Sequence, residues 1–130
     1  MIEVDPIDLD ALTSNSLALT NGRTYRQVLV DARTLIGKHE NWTQGAFARD
    51  PRGGGVRPKD PGACCWCLLG AVAVSSNPFG LIPPPLMQYL DHYMHELYGD
   101  RFSNLGEMND YIDHEGTLRF LDGALARFQQ

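Results

Sequence analysis

The sequence predicts a mainly α fold: an orthogonal bundle of about four helices with a small β-hairpin between the first and second. Three observations carry this. Ala63–Val74 runs for twelve residues with no charge and no strong polar group, so it reads as a central helix that other elements must cover on every side. Other stretches place apolar residues at steps of three and four, the helical period. The connections between these stretches differ widely in length, which favours an orthogonal over an up-and-down arrangement.

Taken in order, residues 1–21 form an acidic arm, with Glu3, Asp5, Asp8 and Asp10 and no base. The arm is set apart from a single helical domain over residues 22–130. Thr24 and Gln27 have the spacing of a capping box. Tyr25, Val28, Leu29, Ala32, Leu35 and Ile36 then share one face, and Gly37 is the expected stop. Trp42–Ala48 reads as extended. Asp50-Pro-Arg-Gly-Gly-Gly-Val56 is dense in turn formers and makes a hairpin tip returning through Val56–Pro58. Asp60 as N-cap and Pro61 as first helical residue would open the central helix. Gly70 inside it costs about 1 kcal/mol relative to Ala, which a close approach by another helix or by the Trp42 segment would offset.

Pro83-Pro-Pro85 can open a third helix but not lie within one. Its buried face would be Leu86, Leu90, Tyr93, Met94 and Leu97, with Gly99 as its stop. Ser103–Ile112 holds a short helical turn with Leu105, Met108 and Ile112 inward. Asp113 caps the last helix, whose stripe is Thr117, Leu118, Leu121, Ala124, Leu125 and Phe128.

The 130 residues carry a formal charge of −5 and include three cysteines. The length fits one domain with a core of its own. The acidic balance argues against electrostatic binding of nucleic acid or of an anionic membrane. Cysteines confined to Cys64–Cys67 do not form a secreted disulfide framework, which points to the cytoplasm. The acidic start lacks the features of a signal peptide, and twelve apolar residues are too few to span a bilayer.

Cys64-x-x-Cys67 has the spacing of a redox or half-zinc motif. A zinc site needs two more ligands, the four histidines are scattered, and no βαβ context surrounds the pair. The cysteines therefore read as small core residues, with no metal and no cofactor expected. A cysteine hydrolase would use Gln44 at an oxyanion hole and His114 as base, but the short span from Gln44 to the cysteines argues against it. His92, His95 and Glu96 share a helix without the order of a zinc protease and read as a solvated face.

Two charged surfaces are candidates for partner binding. Arg49, Arg52, Arg57 and Lys59 cluster on the Gly-rich hairpin. Asp91, Glu96 and Asp100 belong to an acidic face of the third helix and its end, fit for a basic partner. A candidate ligand pocket joins Trp42, Gln44, Cys67, Asn109 and Asp110.

The combination of Trp42-Thr-Gln-Gly45, a Gly-rich turn, Cys67-Leu-Leu-Gly-Ala71, Asn109-Asp110 and Leu121-Asp-x-Ala124 resembles a family of small bacterial and phage proteins of unknown function. The resemblance covers Tyr25 to Phe128, with Met108 where the family has an aromatic. It implies a phage or mobile-element setting and supplies no catalytic residues. The resulting expectation is a small non-enzymatic protein-binding module of phage or mobile-element type, such as an inhibitor of a host defence protein. The alternative is a small enzyme or ligand-binding domain built on the Gln44–Cys67–Asn109–Asp110 pocket. A homodimer in which the arm crosses to a second copy is a third arrangement.

Overall fold

The computed structural model describes residues 24–128. The expected acidic arm over residues 1–21 lies outside them. Among the described residues the fold is mainly α with a small sheet: α1 (Tyr25–Leu35), β1 (Ala48–Arg49), β2 (Gly55–Val56), β3 (Cys65–Trp66), α2 (Leu68–Ser76), α3 (Pro84–Tyr98), α4 (Leu105–Tyr111) and α5 (His114–Ala126). A single 3-10 turn, His39–Asn41, follows α1. No helix among these residues is long and apolar enough to cross a membrane.

Local chemistry sets most helix ends. Thr24 and Gln27 form both bonds of the capping box, each 3.1 Å, which satisfies two otherwise free backbone N–H groups of α1. Asp113 caps α5 by accepting from the Gly116 N–H at 2.7 Å. Gly99 ends α3 with φ 62°, a left-handed conformation that glycine adopts without penalty. Gly37 is not among the positive-φ residues; α1 stops at Leu35 with Ile36 as its cap.

The core joins Val28, Leu29, Ala32 and Ile36 of the α1 segment to Leu68, Ala71 and Val72 of α2. Tyr89, Leu90 and Met94 of α3, Met108 of α4 and Leu121 of α5 close around them. Each fully buried Leu, Val or Met contributes about 1.5–3 kcal/mol of transfer free energy. Tyr89 is buried with them because its hydroxyl donates to the Ala124 carbonyl at 2.6 Å. Leu97, expected inside, is 50% exposed. At that end of α3 the inner position belongs to Tyr98, which packs edge-on against Phe102 at 5.2 Å.

The central helix is shorter than the sequence suggests. It begins at Leu68, with Cys67 as N-cap. Asp60 instead accepts from the Gly62 N–H at 2.7 Å, closing an Asx turn. Cys65–Trp66 then runs as a strand antiparallel to β1, so the expected hairpin is a three-stranded sheet of order β2-β1-β3. The pairing supplies partners for backbone groups on the second edge of β1, which a helix starting at Pro61 would leave bare. The Trp66 indole N–H donates to the Pro58 carbonyl at 2.9 Å and holds the turn closed.

Candidate functional site

The site is built outward from Asn109, in the second turn of α4 and fully buried. Its Oδ1 accepts from the Trp42 indole N–H at 3.1 Å and from the Leu68 N–H at 3.0 Å. Its Nδ2 donates to the Thr43 carbonyl and to Asp110 Oδ1, each at 3.3 Å. Both ends of the amide are thus engaged, and the residue ties three remote segments together.

Gln44 completes the frame. Its Nε2 donates to the carbonyls of Asn109 and Ile112, each at 2.9 Å. These lie at the C-terminal end of α4, where carbonyls lack helical partners. Asp110 Oδ1 accepts from the Gly45 N–H at 2.8 Å, and Gly45 has φ 80°. Arg49 wraps the same loop: Nε donates to Thr43 Oγ1 at 3.0 Å, Nη2 to the Gln44 carbonyl and Nη1 to the Gly53 carbonyl, both at 2.9 Å. A two-residue ladder is therefore reinforced by a guanidinium that reaches from the Trp42 segment to the hairpin tip.

Cys67 sits at the head of α2 and accepts from the Gly70 N–H at 3.3 Å. Burial pushes its thiol up; the Gly70 and Leu69 N–H groups oppose this, and the charge of Asp110 adds to it. The result is a protonated thiol at neutral pH, whereas a nucleophilic cysteine needs the thiolate. Gly70 is fixed by contact: a Cβ there would collide with the Phe47 carbonyl oxygen. Of the two approaches the sequence allowed, another helix or the Trp42 segment, it is the latter that meets Gly70.

The predicted pocket residues Trp42, Gln44, Cys67, Asn109 and Asp110 are brought together, but they form a frame between two cavities. One is an open groove of about 830 Å³ beside the hairpin, whose lining includes Phe47, Val56, Pro58, Leu69, Cys67 and Asp110. A smaller cavity of about 480 Å³ shares Phe47, Leu69 and Gly106 with it and reaches Met87 and Asp91 of α3. On the other side lies a cavity of about 650 Å³ lined by His39, Trp42, Gln44, Asp110, Tyr111 and His114, among others. His114 packs against Trp42 at 5.4 Å, and its Nε2–H donates to the Ile36 carbonyl at 2.6 Å. The imidazole considered as a base thus lines one cavity and the Cys67 thiol the other.

The charged candidates are placed differently. Asp91 pairs with His95 at 3.7 Å, and Glu96 with His92 at 3.4 Å and with Arg127. Much of the acidic face of α3 is therefore already faced by its own histidines and an arginine. Asp100 is exposed beyond Gly99. Of the basic set, Arg49 is turned inward, whereas Arg52, Arg57 and Lys59 are exposed, Arg57 on the groove itself. Among the described residues no three His, Cys, Asp or Glu side chains are placed to hold a metal ion.

Residues 20–127 match a family of unknown function, DUF6197. The chain belongs to that family. The matched stretch contains every residue of the Asn109 frame and both walls of the groove, so these are features of the DUF6197 part of the chain. Residues 1–19 lie outside it. No curated protein and no solved structure matches.

The groove itself was not legible in the sequence. Phe47 and Val56 belong to no motif, Leu69 stands in the Cys67–Ala71 stretch as one apolar residue among several, and the one signal was Gly70, whose lack of a side chain announces that another backbone comes close.

Proposed function

We propose that this DUF6197 chain is a non-enzymatic protein-binding module that receives an extended apolar segment of a partner in the groove beside the hairpin. The observation that supports it most is the exposed apolar floor: Phe47 is 57% exposed, and with Leu69 it lines two neighbouring cavities, one reaching Val56 and the other Met87. β2 forms one wall, and among the described residues no strand lies on its outer side. A segment laid along it can pair with that edge while its side chains enter the groove. The motif residues, by contrast, direct their polar groups inward, which suits a scaffold better than a reacting centre.

In this reading the module acts by occupying a partner, as an inhibitor of a host defence protein from a phage or mobile element would. It works in a reducing cytosol, where Cys64, Cys65 and Cys67 stay free. The partner segment is apolar with acidic flanks, which would meet the exposed Arg52, Arg57 and Lys59 of the hairpin rather than Asp60 and Asp110 of the groove lining.

The test is selection of short peptides from a random library on the immobilised protein. Recovered peptides should be apolar with acidic residues, and should lose binding to Leu69→Asp while still binding a Glu96→Lys, Asp100→Lys variant. Peptides that bind Leu69→Asp unchanged would overturn the groove. Loss only in the double variant would move the site to α3.

A further inference from the structure

We propose that the ring-lined cavity of about 650 Å³ across the Asn109 frame from the groove binds a protonated alkyl amine. Of its described lining residues only Asp110 also faces the groove, so this site stands whether or not the groove takes a peptide. Its size falls within the about 300–1,000 Å³ usual for small-molecule sites.

The walls are aromatic and fixed. Trp42 and His114 pack at 5.4 Å, His39 and His114 at 5.2 Å, and His39 and Trp42 at 5.9 Å. The Trp42 indole is kept from turning by its bond to Asn109 Oδ1, and the His114 ring by its bond to the Ile36 carbonyl. An indole face held in place attracts a cation through its quadrupole and covers an alkyl chain with the same surface. The Tyr111 ring already carries the Arg101 guanidinium at 5.1 Å, which leaves Trp42 as the face for a ligand.

The donors of these walls are spent inside the protein, while acceptors remain. Both N–H groups of the Gln44 amide go to carbonyls of α4, the Trp42 N–H goes to Asn109 and the His114 Nε2–H to Ile36. Among the described residues nothing donates to Gln44 Oε1. A His114 ring that donates from Nε2 keeps a lone pair on Nδ1. His39 and the Tyr111 hydroxyl, which accepts from Arg101 at 3.3 Å, are the side chains here that still have a proton to give. A ligand must therefore bring donors, and an ammonium group has three and no acceptor.

Charge points the same way. Asp110, Asp113 and Glu115 belong to the described lining, and no Lys or Arg does. Asp110 and Asp113 accept from the Gly45 and Gly116 N–H groups through Oδ1, which leaves the second oxygen of each for a ligand. Glu115 lies 3.9 Å from Arg119, an exposed pair of the kind that contributes little in water. The N-terminus of α5 also reaches this cavity, and its partial positive charge is met by the Asp113 cap and by Glu115 in the first turn. An alkylammonium ion comes either as a free di- or polyamine or as the lysine side chain of a protein. The chemistry recognised is the same in both.

The experiment titrates the full chain with 1,5-diaminopentane, with Nα-acetyl-lysine methylamide and with 1,5-pentanediol, and follows the ring signals by NMR. The amines should shift the Trp42 indole and the His39 and His114 rings to saturation. The diol should leave them in place, and the Trp66 indole, bonded to the Pro58 carbonyl, should not move with any of the three. Saturation at lower concentration by the diamine assigns the site to free amines; saturation at lower concentration by the capped lysine assigns it to a protein side chain. A diol that shifts the rings as the amines do, or amines that leave all three rings unmoved, overturns the proposal. An Asp110→Asn, Glu115→Gln variant keeps the oxygens that accept hydrogen bonds and removes two of the three charges. Its dissociation constant for the better amine should be about tenfold higher. A Glu96→Gln, Asp100→Asn variant loses the same charge away from the cavity and should bind as the parent does. Equal weakening in both variants overturns the site in favour of unspecific attraction to an acidic protein. Should the first variant fail to fold, the ring signals of the parent decide alone.

Discussion

The side-chain amide of Gln44 spans two carbonyls of α4, those of Asn109 and Ile112, at 2.9 Å each. One side chain thereby closes the end of a helix more than sixty positions away and fixes the strand segment that follows it. Gln44→Ala should lower the urea midpoint by an amount equivalent to about 1–3 kcal/mol, the cost of leaving buried acceptors without donors. A loss within about 0.5 kcal/mol, ordinary for a surface substitution, would show that water replaces the amide.

Asn109→Ala should cost more. It strands the Trp42 indole N–H and the Leu68 N–H together, at about 1–3 kcal/mol for each buried group left unsatisfied. Asn109→Asp retains the Oδ1 acceptor but turns a second oxygen toward the Thr43 carbonyl and the Asp110 carboxylate. It should be no more stable than the alanine variant. Equilibrium unfolding of the pair checks both statements.

Gly70→Ala tests the close approach at the head of α2. Helix propensity alone would raise stability by about 1 kcal/mol. The new Cβ meets the Phe47 carbonyl, and overpacking against backbone costs about 1–3 kcal/mol. The melting temperature should therefore fall; a rise would mean that the Phe47 segment moves aside freely.

Stability should fall as pH rises above about 9, the ordinary value for a thiol in this chain. Burial holds the Cys67 proton in the folded state, so the unfolded chain ionises first and gains from each further step in pH. Tyr89, also pushed up by burial, acts in the same direction above the ordinary phenol value. Cys67→Ser keeps an oxygen to accept from Gly70 and does not titrate there, so the decline between the thiol and phenol ranges should flatten. An unchanged slope would exclude the thiol as its source.

How much could be read beforehand depended on how far apart the interacting residues stand. The Thr24–Gln27 box, the proline start of α3 and the Asp113 cap are contacts across three or four positions, and each was legible. Asp60-Pro61-Gly62 misled, because the same three residues suit a helix start and an Asx turn. The choice was made by β1, which lies more than ten positions upstream and needed a partner on its second edge. Leu97 misled for a similar reason: only the arrival of Phe102 beside Tyr98 decides which side of the last turn is covered. Trp42, Gln44, Asn109 and Asp110 are neighbours, as their grouping in the sequence suggested, with Cys67 beside Asp110. What they do there was not readable, since a buried asparagine with every bond made looks the same in sequence as one that holds a ligand.

Asn109 draws its partners from 41 and 67 positions away, which has a kinetic meaning. Closing spans of that length costs chain entropy before any contact repays it. The helices, held by neighbours three and four apart, are free of that delay. Strands of two residues cannot stand without the asparagine frame, so the sheet should assemble after α2 and α4 have docked. For the same reason its amides should exchange with solvent sooner than those of the helical core. The groove then lies against the part of the molecule that opens most readily, and a partner reaches it without unfolding the rest.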